Sequence, residues 1–125
     1  MWTTMAWVAL GGAIGAAARF GAGMALLRVA GGGFPVAVLG VNVVGSFLMG
    51  LFVVWSHLKG QTEWQPFVMT GILGGFTTFS AFSLEAYSLF ERGQTGAAGL
   101  YVGLSVVLSI LGLVVGILLA RGLWA

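Results

Sequence analysis

Asn42 and Ser46 stand i, i+4 in an uncharged apolar run, and Tyr101, Ser105 and Ser109 stand at i, i+4 and i+8 in another. On a helix each set falls along one face. A carboxamide and hydroxyls are neutral hydrogen-bond donors. In apolar surroundings they can strip water from a small polar solute, or they can bond to a neighbouring helix. Each hydroxyl can also bond back to a carbonyl of its own helix. None of this is enzyme chemistry. The chain has no cysteine, hence no thiolate, disulfide or cysteine metal site, and its single histidine, His57, falls at the watery end of an apolar run.

The richest stretch is Gly71-Ile-Leu-Gly-Gly-Phe-Thr-Thr-Phe-Ser-Ala-Phe82. Glycine pairs weaken a helix and adjacent β-branched threonines do not restore it. Carbonyls freed at membrane depth survive only where protein or a water-filled cavity meets them. A break here therefore suggests an ion site. The plainer reading is a kinked helix with glycines at a packing face and phenylalanines toward lipid. Phe79 and Phe82, spaced i, i+3, share a face beyond the break.

Two charges accompany these groups. Arg19 lies well inside the first apolar run, where an arginine costs about 2.5–3.5 kcal/mol on insertion scales. It either snorkels to the nearer headgroups or lines a vestibule that draws in anions. Glu85, one turn beyond Phe82, is the only carboxylate within a span, and water near the headgroups is the plain alternative for it.

The elements that must position these groups are membrane helices. Of 125 residues, 59% are hydrophobic and 6% charged, with mean hydropathy +1.07, which excludes a soluble domain. The apolar runs, each about 20 residues, suit single crossings. They give an all-α, single-domain membrane protein over 1–125, with spans at about 7–27, 36–57, 66–90 and 97–121 and the third broken in mid-membrane. Arg28–Pro35 and Lys59–Gln65 connect spans, and Pro66 suits a first helical turn. The amino terminus lacks the positive region of a signal peptide, so the first run is expected to be retained. Gly11-x-x-x-Gly15, Gly99-x-x-x-Gly103 and Gly112-x-x-x-Gly116 are small-residue ridges suited to close helix packing. A net charge of +2 is far too small for a nucleic-acid surface.

Four spans return the carboxyl terminus to the side of the amino terminus. Lys59 and Arg121 then share that side, while Arg28 and Arg92 occupy the other. This balance leaves the positive-inside rule nothing to act on, so both orientations are expected. All five tryptophans, Trp2, Trp7, Trp55, Trp64 and Trp124, fall at the amino-terminal side.

Three motifs together resemble the CrcB/Fluc fluoride channels: Gly11-Gly-Ala-Ile-Gly-Ala-Ala-Ala-Arg-Phe20, Val41-Asn-Val-Val-Gly-Ser-Phe-Leu-Met-Gly50 and Gly74-Gly-Phe-Thr-Thr-Phe-Ser-Ala-Phe82. The resemblance covers the whole chain. It implies an antiparallel, dual-topology homodimer in the bacterial inner (plasma) membrane, with two fluoride pathways. It implies Phe79 and Phe82 as pore phenylalanines, Asn42 as the second-span pore amide, and Tyr101, Ser105 and Ser109 as the polar track. Thr78 and Glu85 fall beside the pore and Arg19 in the vestibule. The backbone carbonyls of Gly74 and Thr77 match a central sodium site on the dimer axis. One departure is Ala37-Val38, where many relatives have Gly-Thr.

The function so implied is passive fluoride export and fluoride resistance. Hydrogen fluoride crosses lipid neutral and ionises inside, and an inside-negative potential drives the anion out with about 2.3 kcal/mol per charge per 100 mV. No Walker motif supplies energy coupling. Two other functions fit a small four-span chain. A proton-coupled multidrug exporter needs a membrane-embedded carboxylate, for which Glu85 is the one candidate; a non-transporting assembly subunit needs only the glycine ridges.

Overall fold

The computed structural model describes residues 1–31 and 33–125. The connection expected at Arg28–Pro35 includes Gly32, which lies outside the described residues. The described part is helical, with four helices long and apolar enough to cross a membrane: Trp2–Ala30, Val36–Leu58, Thr62–Glu91 and Thr95–Trp124. The first and second are α1 and α2. All four outrun the spans expected from the apolar runs, because a helix continues into the headgroup layer beyond the hydrocarbon. Arg28 accordingly lies in the last turn of α1, not in the connection.

Gly31 ends α1 at φ 79, a left-handed conformation open to glycine, and its N–H reaches the Leu27 carbonyl at 2.9 Å. At the other end of α2 the Gln65 carboxamide donates to Ser56 Oγ at 2.9 Å, tying α2 to the start of the third span.

The third span is bent and assembled from pieces. Pro66–Leu73 is wound wider than an α-helix, with i→i+5 hydrogen bonding, a form frequent at functional sites. One α-turn, α3 (Gly74–Phe76), follows, and the chain then opens at Thr77, whose φ of −89° and ψ of 160° are those of a strand. Ser80–Glu91 resumes the helix as α4, and Thr95–Trp124 forms α5. The break expected at Gly74–Thr77 thus begins only at Thr77. Gly74 itself is helical, at φ −64° and ψ −37°. Gly75 serves close packing: a Cβ there would lie 2.6 Å from the Gly12 carbonyl oxygen of α1.

Two helix pairs carry the packing. The glycine ridge of α1 receives the wide-wound segment, and a Cβ on Gly11 would come within 2.5 Å of the Phe67 carbonyl oxygen. Gly112 and Gly116 of α5 lie against α2 around Val43 and Phe47. The third ridge, Gly99-x-x-x-Gly103, meets nothing within 4 Å. Phe82, Leu89, Ala98 and Tyr101 form a small buried cluster between α4 and α5. Most other large apolar side chains point outward, as a lipid solvent permits.

The tryptophans gather at one end of the bundle. Trp7 and Trp64 both stack edge-on against Phe67, with ring centroids 5.5 and 6.3 Å away. Trp55 and Trp124 line a common cleft at the same end, and Trp2 begins α1 there.

Candidate functional site

The break exists because the backbone donors that would continue the helix have other acceptors. In an unbroken helix Thr78 N–H would reach the Gly74 carbonyl; here it donates to Asn42 Oδ1 at 2.8 Å. Ala81 N–H, which would reach the Thr77 carbonyl, donates to Thr78 Oγ1 at 3.1 Å. Thr77 turns inward on its own helix, its hydroxyl donating to the Leu73 carbonyl at 3.0 Å. The carbonyls of Gly74 and Thr77 have thereby lost their ordinary helical donors.

Asn42 answers the break from α2. Its Nδ2 donates to the Thr78 carbonyl at 3.0 Å while its Oδ1 accepts the Thr78 N–H. One carboxamide therefore satisfies both polar groups of one peptide residue, as a strand partner would. From α1, Arg19 Nε donates to the Gly75 carbonyl at 3.1 Å. That bond ties its guanidinium to the turn just before the break. Arg19 also lines a smaller cavity of about 280 Å³ with Ala37, Val38 and Thr78.

The larger cavity, about 500 Å³, opens beside the break between α2, α4 and α5. Asn42, Thr78, Phe79, Phe82, Ser105 and Ser109 all line it, joined by Ser46 and Thr77. No charged side chain lines it among the described residues. Ser46, the i+4 partner of Asn42 in the sequence, shares this wall with it. With the Asn42 amide engaged by Thr78, Ser46 is the second hydrogen-bonding side chain that α2 presents to the cavity. Glu85 lies one turn beyond, half-buried on α4 and outside the lining.

Aromatic rings continue from the cavity toward the other end of the bundle. Phe79 packs on Phe82 at 5.4 Å, Phe82 on Tyr101 at 5.3 Å, and Tyr101 edge-on to Phe34 at 5.6 Å. Phe79 is 78% exposed and Phe82 only 9%. Tyr101 is fully buried, and its hydroxyl and Ser105 Oγ, one helical turn apart, have no hydrogen-bond partner among the described residues beyond their contact with each other. A mutual contact still leaves one of the two hydroxyl hydrogens without an acceptor, and a buried unsatisfied donor costs about 1–3 kcal/mol, so the pair suits a ligand or water.

Fold and site together define a small multi-pass membrane protein with a neutral, donor-lined cavity at a clasped helix break. Residues 6–117 match the family model described as "CrcB-like protein, Camphor Resistance (CrcB)". Proteins named "Fluoride-specific ion channel FluC" are similar along nearly their full length. That of Ruegeria sp. (strain TM1040) is 64% identical over 116 residues, 92% of each chain. That of Roseobacter denitrificans is 59% identical over 119 residues, 94% of each chain. That of Agrobacterium fabrum is 49% identical over 122 residues, 96% of this chain and 98% of its own. The chain belongs to the CrcB family.

Proposed function

We propose that this chain is a passive, fluoride-selective ion channel that lets cytoplasmic fluoride leave the cell. The observation that carries the reading is the cavity lined by neutral donors and phenylalanine rings, with the Ser105 hydroxyl in its wall and the buried Tyr101 hydroxyl one turn behind it. Fluoride is small and strongly hydrated, so a pathway must replace its water with closely spaced donors. The hydroxyls of Tyr101, Ser105, Ser109 and Ser46 can do so, and the ring edges of Phe79 and Phe82 carry the positive part of the aromatic quadrupole. Neutral ligands hold an anion without trapping it, which conduction requires. Family membership and the names of the relatives support the same substrate.

The proton-coupled exporter fits less well, since no carboxylate lines the cavity among the described residues. Arg19 supplies the one positive charge at the break and would raise the local anion concentration from the smaller cavity.

The assembly proposed is an antiparallel homodimer with two pathways, inserted in both orientations in the bacterial inner membrane. Phe79 supports it physically: a pore ring 78% exposed on one copy needs a second surface to close the path. A central sodium ion is part of the same proposal, held by the carbonyls of Gly74 and Thr77 from each copy. Their loss of helical donors fits an oxygen-only cation site. When bound, such an ion supplies neutralising charge where two breaks meet. Crystallography with sodium exchanged for a heavier ion tests it; no density between the breaks would remove the ion from the proposal.

The deciding experiment is flux from liposomes containing the purified protein. Fluoride efflux that needs no proton gradient and far exceeds chloride efflux is expected. Fluoride flux no greater than from protein-free vesicles would overturn the function.

A further inference from the structure

At the tryptophan-rich end, away from the break, a cavity of about 350 Å³ is lined by Thr4, Trp7, Glu63, Trp64, Pro66 and Phe67. Three of these are aromatic, and both tryptophan rings meet the Phe67 ring at steep angles, 83° and 67°. Such angles make a box, not a flat stack. Glu63 sits on a short helical turn, Thr62–Trp64, and its exposed carboxylate has no hydrogen-bond or ion-pair partner among the described residues. The other polar groups in the lining are the Thr4 hydroxyl and the indole N–H groups of Trp7 and Trp64.

Rings at an angle with a carboxylate beside them are matched to an organic ammonium ion. Ring faces attract the cation through their quadrupole, and the carboxylate supplies a net opposite charge. An anion is excluded by Glu63, and a wholly apolar guest would leave the carboxylate facing it. Position narrows the source. Glu63 and Thr4 lie at the span ends while Trp7 and Phe67 reach into the apolar segments, so the box straddles the headgroup layer. We propose that this box binds the ammonium headgroup of a zwitterionic phospholipid, and so fixes the depth and rotation of α1 and the third span at that face. The proposal is independent of the fluoride reading.

The test uses the full protein in nanodiscs with equal parts of phosphatidylethanolamine and phosphatidylglycerol. The lipids kept after transfer to detergent are counted by native mass spectrometry. Phosphatidylethanolamine should be enriched on the wild type. Glu63→Gln should lower that enrichment about three- to fivefold, as should Trp64→Leu, whereas Trp64→Phe should keep most of it. Glu63→Gln leaves every ring in place, so it separates a cation site from an ordinary aromatic belt. Equal enrichment in the wild type and Glu63→Gln would overturn the proposal. So would free choline binding to lipid-stripped protein as tightly as the phospholipid, since the site would then serve a soluble cation. Fluoride flux measured on the same samples reports separately on the channel.

Discussion

Asn42 clasps Thr78 twice, donating to its carbonyl at 3.0 Å and accepting its N–H at 2.8 Å. The clasp joins α2 to the opening of the third span and holds the chain extended where a helix would otherwise continue. It makes the cavity wall and the break a single mechanical unit.

Asn42→Asp should separate the two halves of that unit. The acceptor for Thr78 N–H remains, but the donor is replaced by an oxygen facing the Thr78 carbonyl. Loss of one hydrogen bond and its reversal into repulsion should cost about 1–3 kcal/mol. Thermal unfolding in detergent should occur at a lower temperature, and fluoride flux should fall with it. Asn42→Asp protein of unchanged stability and flux would show that the clasp matters to neither.

Tyr101→Phe and Ser105→Ala should have a different signature. Each removes a buried hydroxyl whose one neighbouring hydroxyl is the other of the pair, so stability should change by no more than about 1 kcal/mol in either direction. Flux should drop about tenfold or more, because a hydrogen bond to an ion is among the stronger kinds, about 1.5–3 kcal/mol. Variants that conduct as well as the parent would mean that these hydroxyls do not meet the ion.

Phe79→Ile and Phe82→Ile should both cut fluoride flux sharply, but they should differ in stability. Phe82 packs between Phe79 and Tyr101 and is 9% exposed, whereas Phe79 is 78% exposed. Only Phe82→Ile should cost stability in the monomer, by about 1–3 kcal/mol. Undiminished flux in both variants would take the rings out of the pathway.

Two lysines added to the Lys59–Gln65 loop should hold the amino-terminal side in the cytoplasm, since short loops respond strongly to positive charge. Fluoride resistance should be lost in cells carrying this variant alone. It should return on coexpression with a variant bearing two extra lysines between Arg28 and Phe34. Full resistance from one singly oriented variant, with orientation fixed by accessibility labelling, would rule out an antiparallel pair.

The four spans were legible in the sequence because charge-poor runs of crossing length have few other meanings, and the polar faces of α2 and α5 followed from i, i+4 spacing. The position of the break was less legible. Glycine signals both a weak helix and a close approach, and at Gly75 the close approach to Gly12 prevails. The acceptor of Asn42 lies 36 residues away in the chain, beyond the reach of any local pattern. The wide winding of Pro66–Leu73 leaves no period to read, since its residues are apolar around almost the whole circumference. Gly99 and Gly103 have the spacing of a packing ridge, yet within one chain they face open space, because α5 uses Gly112 and Gly116 instead.

With all five tryptophans at one end, each copy is anchored more heavily at one face of the bilayer than at the other. In an inverted pair the two heavier anchors lie on opposite leaflets. A thicker bilayer then draws the copies apart along the membrane normal, and a thinner one slides them together, at a fraction of a kcal/mol per ångström. In such a pair the two breaks would face each other at one thickness only. Flux in bilayers of graded acyl-chain length should therefore pass through a maximum, whereas a flat response would show that the pair is too stiff to slide.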